Sequence, residues 1–126
     1  KYLEGLTASH DGILAFGRFD PEGKYPKAIH PVITEHPVTS RKVINVNRGF
    51  TSHINELDSS ESRFVLEYLY QHIEDQYFHV RFRWEPHSVA FWDNRCTQHL
   101  AIWDYYPQVR SGFRVQIENN FAINSV

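Results

Sequence analysis

Residues 58–75 hold the clearest periodicity in the chain. Phe64, Val65, Tyr68, Leu69 and Ile73 recur three and four residues apart, which is the stripe of one helix face. Asp58 stands where an N-cap belongs, and Glu61 three positions later completes a capping box. The pattern predicts a helix that ends near Asp75. Downstream the period becomes two. Phe78, Val80, Phe82 and Trp84 alternate with His79, Arg81 and Arg83, which predicts a strand with an arginine-bearing polar face. Residues 85–88 read as a turn, 89–92 as a short apolar strand and 94–98 as a polar loop. His99 opens another apolar stretch, and residues 109–117 form a last strand. Upstream, 29–36 and 42–46 are β-branched runs across a polar turn, the signature of a hairpin, with Pro31 and Pro37 suited to an edge or to strand ends. Residues 17–27 and 47–57 read as loops. Tyr2, Leu3 and Leu6 have helical spacing, so the first nine residues read as the tail of a helix. The expected fold is mainly β with one clear helix, an antiparallel sandwich or barrel.

Composition narrows the function classes. A chain of 126 residues is one domain at most, with a modest core. Aromatic residues reach 15%, which favours a pocket or a dense β core. Thirteen basic against fifteen acidic residues leave a net charge of −2, so nothing marks a nucleic-acid or anionic-membrane partner. No apolar run approaches the ~20 residues of a membrane helix. The single cysteine, Cys96, rules out an internal disulfide framework and a CxxC zinc site, and it suits a reducing, cytoplasmic setting. The chain has no methionine and opens on Lys1-Tyr2-Leu3 without a signal-peptide pattern, which fits either a processed start or a piece of a longer protein.

Candidate chemistry concentrates in WDNRCTQHLAIWDYYPQVRSGFRVQI, residues 92–117. If 109–117 is a strand, Arg110, Gly112 and Arg114 share one face. Two guanidiniums on an interior face need anions, because unpaired buried charge is costly. Arginine suits a carboxylate or sulfonate through paired hydrogen bonds, and Gly112 would leave room for a ligand. On spacing alone, His99 is equally a structural histidine and the arginines a solvated face. Cys96 lies three residues from His99, but a nucleophile would also need an orienting group. His30, His36, His53, His79 and His87 are dispersed and read as surface or hydrogen-bonded residues.

The sequence resembles the taurine dioxygenase family of iron(II)- and 2-oxoglutarate-dependent oxygenases. RFRWEPHSVAFWDNRCTQHLA, DYYPQVRSGFR, HPVITEHPVTSRKVINVNRGFT and ESRFVLEYLY carry the likeness, which weakens after about Ile117. The resemblance implies a double-stranded β-helix, or jelly roll. It implies Fe(II) held by two histidines and a carboxylate, with positions open for 2-oxoglutarate and oxygen. His99, the histidine of the QH pair, matches an iron ligand and is the candidate catalytic residue. Arg110 matches the residue that pairs the distal carboxylate of 2-oxoglutarate, and Arg114 the residue that binds the substrate's acid. Phe50 matches a pocket aromatic of the NRGF segment, and Trp92 would lie near the metal as a pocket wall. The other two ligands come in this family as His-x-Asp, which occurs nowhere in these 126 residues. The nearest imitation is His72-Ile73-Glu74, inside the expected helix.

Residues 1–126 are therefore expected to be a single partial domain, the C-terminal portion of a taurine-dioxygenase-like catalytic domain, inactive by itself. The whole enzyme would hydroxylate a small acidic, taurine-like substrate with molecular oxygen while 2-oxoglutarate decarboxylates to succinate. Sulfonate, sulfate ester and carboxylate remain equal candidates for the acidic group. The alternative is a truncated, non-catalytic jelly roll that binds an anion or a partner. Exposed strand edges would favour a homo-oligomer, and a second chain completing the site is a third idea. The tail NNFAINSV departs from the pattern and is assigned nothing.

Overall fold

The computed structural model describes residues 1–117, so the unassigned tail lies outside the described residues. Five strands form: β1 (Thr7–Asp11), β2 (Lys27–Pro31), β3 (Ile33–Glu35), β4 (Lys42–Ile44) and β5 (Thr51–Ile54). A five-residue helix, α1 (Gly12–Phe16), follows β1, and one long helix, α2 (Ser59–Ile73), follows β5. The described part is thus mainly β with one long helix.

β1 is the centre of a three-stranded antiparallel sheet in the order β2-β1-β5. This corrects the expected helical tail at residues 1–9. Tyr2–Gly5 is a single 3-10 turn, and the three-residue period of that turn puts Leu3 and Leu6 on the same side, against the core. From Thr7 the chain is strand, because two neighbours supply its ladder, and tertiary pairing outweighs a short spacing signal. The segment 47–57, expected as a loop, contains β5. Its register against β1 slips between Ser9 and His10, so Ser52 is a bulge. The extra residue lets Thr51 and Ile54, three apart, both face inward.

The hairpin forms over only part of the expected run: residues 29–31 lie in β2 and pair with β1, and β3 alone meets β4. β3 and β4 pair antiparallel through Ile33↔Ile44, Thr34↔Val43 and Glu35↔Lys42. Pro31 closes edge strand β2, and Pro37 lies just past β3. Backbone bonds from Val32 N–H to the Leu6 carbonyl (2.9 Å) and from Asn45 N–H to the Val32 carbonyl (2.8 Å) tie the hairpin to the sheet's N-terminal end.

α2 begins where Asp58 predicts. The Asp58 carboxylate accepts from the Ser60 (2.8 Å) and Glu61 (2.9 Å) N–H groups. The box is not closed, however, because Glu61 accepts instead from the Tyr2 hydroxyl at 2.6 Å. The buried stripe is also rotated from the expected one. Ser62, Leu66, Leu69 and Tyr70 are buried, with Val65 and Ile73 packed beside them, while Phe64 and Tyr68 stay 69% and 70% exposed. The rotation follows from Ser62, whose buried Oγ accepts the Ile54 N–H at 2.8 Å and so locks the helix to β5. Leu6, Ala8, Val32, Val46 and Ile54 complete the core.

Residues 79–117 contain no helix or strand. The strands expected at 78–84, 89–92 and 109–117 are not formed, and neither is the sandwich or barrel built from them. Val80, Phe91, Val109, Phe113 and Val115 are exposed. The physical reason is the lack of a partner: among the described residues no strand pairs with these segments, and a lone strand neither satisfies its backbone nor buries its apolar face.

Candidate functional site

Residues 92–99 carry the candidate site, and a turn at Asp93 shapes them. The Asp93 carboxylate accepts from the backbone N–H of Arg95 (2.9 Å) and from its Nε (2.8 Å), and the Asp93 carbonyl accepts from the N–H groups of Cys96 and Thr97. The Arg95 side chain, then its backbone, then His36 hold the Asp93 carboxyl well below the usual carboxylate range. Two side-chain hydrogen bonds join this segment to residues 1–78 among the described residues. His36 Nε2 meets Asp93 Oδ2 at 3.0 Å, and Gln98 Nε2 donates to the carbonyl of buried Val46 at 2.9 Å.

His99 follows the second tie directly. Its ring is exposed and lies 5.4 Å, centroid to centroid, from Trp92, whose Nε1 donates to Asn94 Oδ1 at 2.8 Å. Among the described residues the His99 imidazole has no hydrogen-bond partner, which leaves its nitrogens free to coordinate as a metal ligand must. It fits as one ligand of an iron site. The sequence does not contain the His-x-Asp that would complete the set.

The other candidates do not converge on His99. Arg110 stacks over Tyr105 at 5.1 Å, and Arg114 makes no hydrogen bond or ion pair among the described residues. The expected common interior face of Arg110, Gly112 and Arg114 is absent, since the strand that would create it is not formed and a Cβ at Gly112 would meet nothing within 4 Å. Phe50 sits in the turn before β5, edge-on to Phe16 at 5.6 Å, with Tyr25 stacked beyond. Its turn is held by Arg48, which forks onto Glu67 (2.8 and 2.9 Å) and reaches Glu74 (2.8 Å), and which lies over Tyr70. Glu74 is thereby committed to Arg48, and His72 packs edge-on against Phe78. The His72-Ile73-Glu74 imitation of a ligand pair is therefore structural.

His36 was not separable from the dispersed histidines by sequence, yet it is 7% exposed and reaches the motif. Its partner lies 57 residues away, so no local spacing marks it. Cys96 is exposed, and its sulfur lies in the same small cluster as His36 and Asp93, with ligand-type atoms all within 4.8 Å of one another.

The model of the "Taurine catabolism dioxygenase TauD, TfdA family" matches residues 1–116. The chain belongs to this family. An "Alpha-ketoglutarate-dependent sulfonate dioxygenase" of Saccharomyces cerevisiae is 43% identical over 89 residues, covering 69% of this chain and 22% of that protein. An "Alpha-ketoglutarate-dependent dioxygenase" of Penicillium expansum is 44% identical over 136 residues, covering 100% of this chain and 38% of its own length. An "Alpha-ketoglutarate-dependent sulfate ester dioxygenase" of Pseudomonas putida is 35% identical over 94 residues, covering 75% and 31%. The chain thus spans between about a fifth and two fifths of these TauD/TfdA relatives. The family match takes in the WDNR-x-x-QH string, both spaced arginines and the NRGF segment. No helix of the described residues is long and apolar enough to cross a membrane.

Proposed function

We propose that the chain is the C-terminal portion of the catalytic domain of an iron(II)- and 2-oxoglutarate-dependent dioxygenase acting on a small sulfonate-like acid. Its two small sheets would be parts of a double-stranded β-helix. The observation that carries the reading is the family match over residues 1–116, with WDNR-x-x-QH followed by two arginines. His99 is the chain's iron ligand, and its uncommitted imidazole supports that role. Bound iron would supply oxygen activation coupled to decarboxylation of 2-oxoglutarate to succinate. Arg110 pairs the distal carboxylate of 2-oxoglutarate and Arg114 the acidic group of the substrate. A forked guanidinium recognises a planar carboxylate or a sulfonate through two parallel bonds. Phe50 and Trp92 wall the pocket and keep water from the reacting carbon. The remaining two ligands would come from the His-x-Asp of the longer protein.

The test is a binding split in the native protein that carries this chain. Arg110→Ala is expected to weaken 2-oxoglutarate about tenfold to a hundredfold, the loss of a charge-assisted pair, with the substrate little affected. Arg114→Ala is expected to do the reverse, seen in the substrate KM and in release of succinate. Equal losses of both ligands in each variant would count against these roles. A native protein that binds neither 2-oxoglutarate nor iron would return the chain to the non-catalytic, anion-binding alternative.

A further inference from the structure

Among the described residues, His36 is the one histidine that is both buried and bonded at its two ring nitrogens. It follows β3 directly, and the next residues turn back toward β4, with Ser40 N–H bonding the His36 carbonyl at 2.9 Å and Ser40 itself in the left-handed region (φ 54°). Nδ1 accepts from the backbone N–H groups of Val38 (3.3 Å) and Thr39 (3.2 Å). A ring nitrogen that accepts carries a lone pair, so the proton of the neutral ring sits on Nε2 and is donated to Asp93 at 3.0 Å. The imidazole is a rigid two-ended linker: one end caps the hairpin turn, the other grips the turn that leads to His99.

The same tautomer decides against a metal at His36, Asp93 and Cys96. A cation on Nε2 would need lone pairs on both nitrogens at once, an imidazolate, while Asp93 already serves the Arg95 guanidinium. The cluster is a mechanical joint.

We infer that His36 is a positioning residue for His99. It fixes Asp93 at one end of the segment 93–98, and the Gln98–Val46 bond fixes the other end, so that His99 is presented from a loop pinned at both ends to the core. This rests on the reading of His99 as an iron ligand. Partners that hydrogen-bond a metal ligand change metal affinity by about ten- to a hundredfold when removed, and a support one step further out is expected at the low end of that range.

Two amide variants separate the two ends of the ring. In His36→Asn the side-chain carbonyl oxygen falls near the Nδ1 position, so this variant keeps the turn cap and loses the bond to Asp93. In His36→Gln the longer amide reaches the Nε2 position, so that variant keeps a donor to Asp93 and loses the cap. Hydrogen exchange in the native protein that carries this chain is the first readout. His36→Asn is expected to speed exchange at Arg95, Cys96 and Thr97 by about tenfold or more while Val38 and Thr39 stay protected. His36→Gln is expected to show the opposite pattern. Iron(II) affinity is the second readout: about tenfold weaker in His36→Asn and near wild type in His36→Gln. Asp93→Asn, whose Oδ1 still accepts the Arg95 N–H while its amide nitrogen faces the His36 donor, cuts the same link from the other side and should copy His36→Asn if that variant does not fold. Unchanged exchange at 95–97 in both link-breaking variants overturns the joint. Faster exchange with unchanged iron affinity overturns the positioning role and leaves the dioxygenase reading intact. A wild-type protein that binds no iron overturns the His99 reading and this inference with it.

Discussion

Residues 1–78 and residues 79–117 carry hydrophobic patterns of equal quality and end in opposite states. In the first region Ala8, Val32, Val46 and Ile54 are fully buried. In the second, Val80, Phe82 and Trp84 continue a regular alternation from Phe78, yet Val80 is 92% exposed. What survives there is sparse: Phe82 and Trp84 pack edge to face at 4.8 Å, Arg81 pairs with Asp104, and Asp93 and Gln98 make the two ties to residues 1–78. The difference lies in neighbours. β1 has a strand on each side and α2 has a sheet beneath it, so their apolar faces have somewhere to go. Periodicity states which face wants burial; only a second element delivers it.

The contrast can be broken from either side. The largest effect is expected at Leu69, 2% exposed in the second half of α2. Leu69→Ala should cost about 2–5 kcal/mol, read as a lowered urea midpoint. A cost below about 1 kcal/mol would mean that residues 1–78 are not packed as described. Ser62→Ala comes next, about 1–3 kcal/mol, because it leaves the buried Ile54 N–H without an acceptor; Ser62→Thr, which keeps a hydroxyl, tests whether the oxygen or its volume matters. Asp58→Ala should cost about 1 kcal/mol through loss of the α2 cap, visible as faster amide exchange at Ser60 and Glu61.

A smaller, pH-dependent effect belongs to His10. Its burial, and secondarily the nearby His30 at 5.4 Å, lower its pKa. The folded state therefore favours the neutral ring. Its contribution to stability is complete above the unfolded value of about 6.5 and is lost as the pH falls from there through the folded value. Histidine titration by NMR should show His10 protonating below the unfolded value, and His10→Phe should flatten stability across that window. At the bottom of the scale, Val109→Ala should change stability by less than about 0.5 kcal/mol, read as an unmoved urea midpoint. A large effect there would show that residues 79–117 are packed against something.

The legible parts of the fold were those whose cause is local. The Asp58 cap, the end of α2 at Ile73 and the 33–44 hairpin all follow from nearby residues. β1 and β5 were missed because their strand character comes from pairing with each other across more than forty residues, and the bulge at Ser52 breaks the alternation that would have revealed β5. The Phe64–Tyr68 stripe misled because the buried hydroxyl of Ser62, a polar residue, sets which way the helix faces. In the site, the motif string exposed His99, Arg110 and Arg114, whereas His36 acts on a partner 57 residues away and leaves no mark in its own neighbourhood. The expected joint face of the arginines needed a strand whose partner the described residues do not provide.

The two ties that hold the 93–98 segment are inherited differently. Gln98 grips a main-chain carbonyl, which position 46 presents whatever side chain it carries, so residue 46 is free to drift among apolar types of similar bulk while the grip persists. His36 and Asp93 meet side chain to side chain, and a change in either strands the other. Across diverging copies of this sequence, positions 36 and 93 should therefore change together or not at all, whereas 46 and 98 should vary without reference to each other.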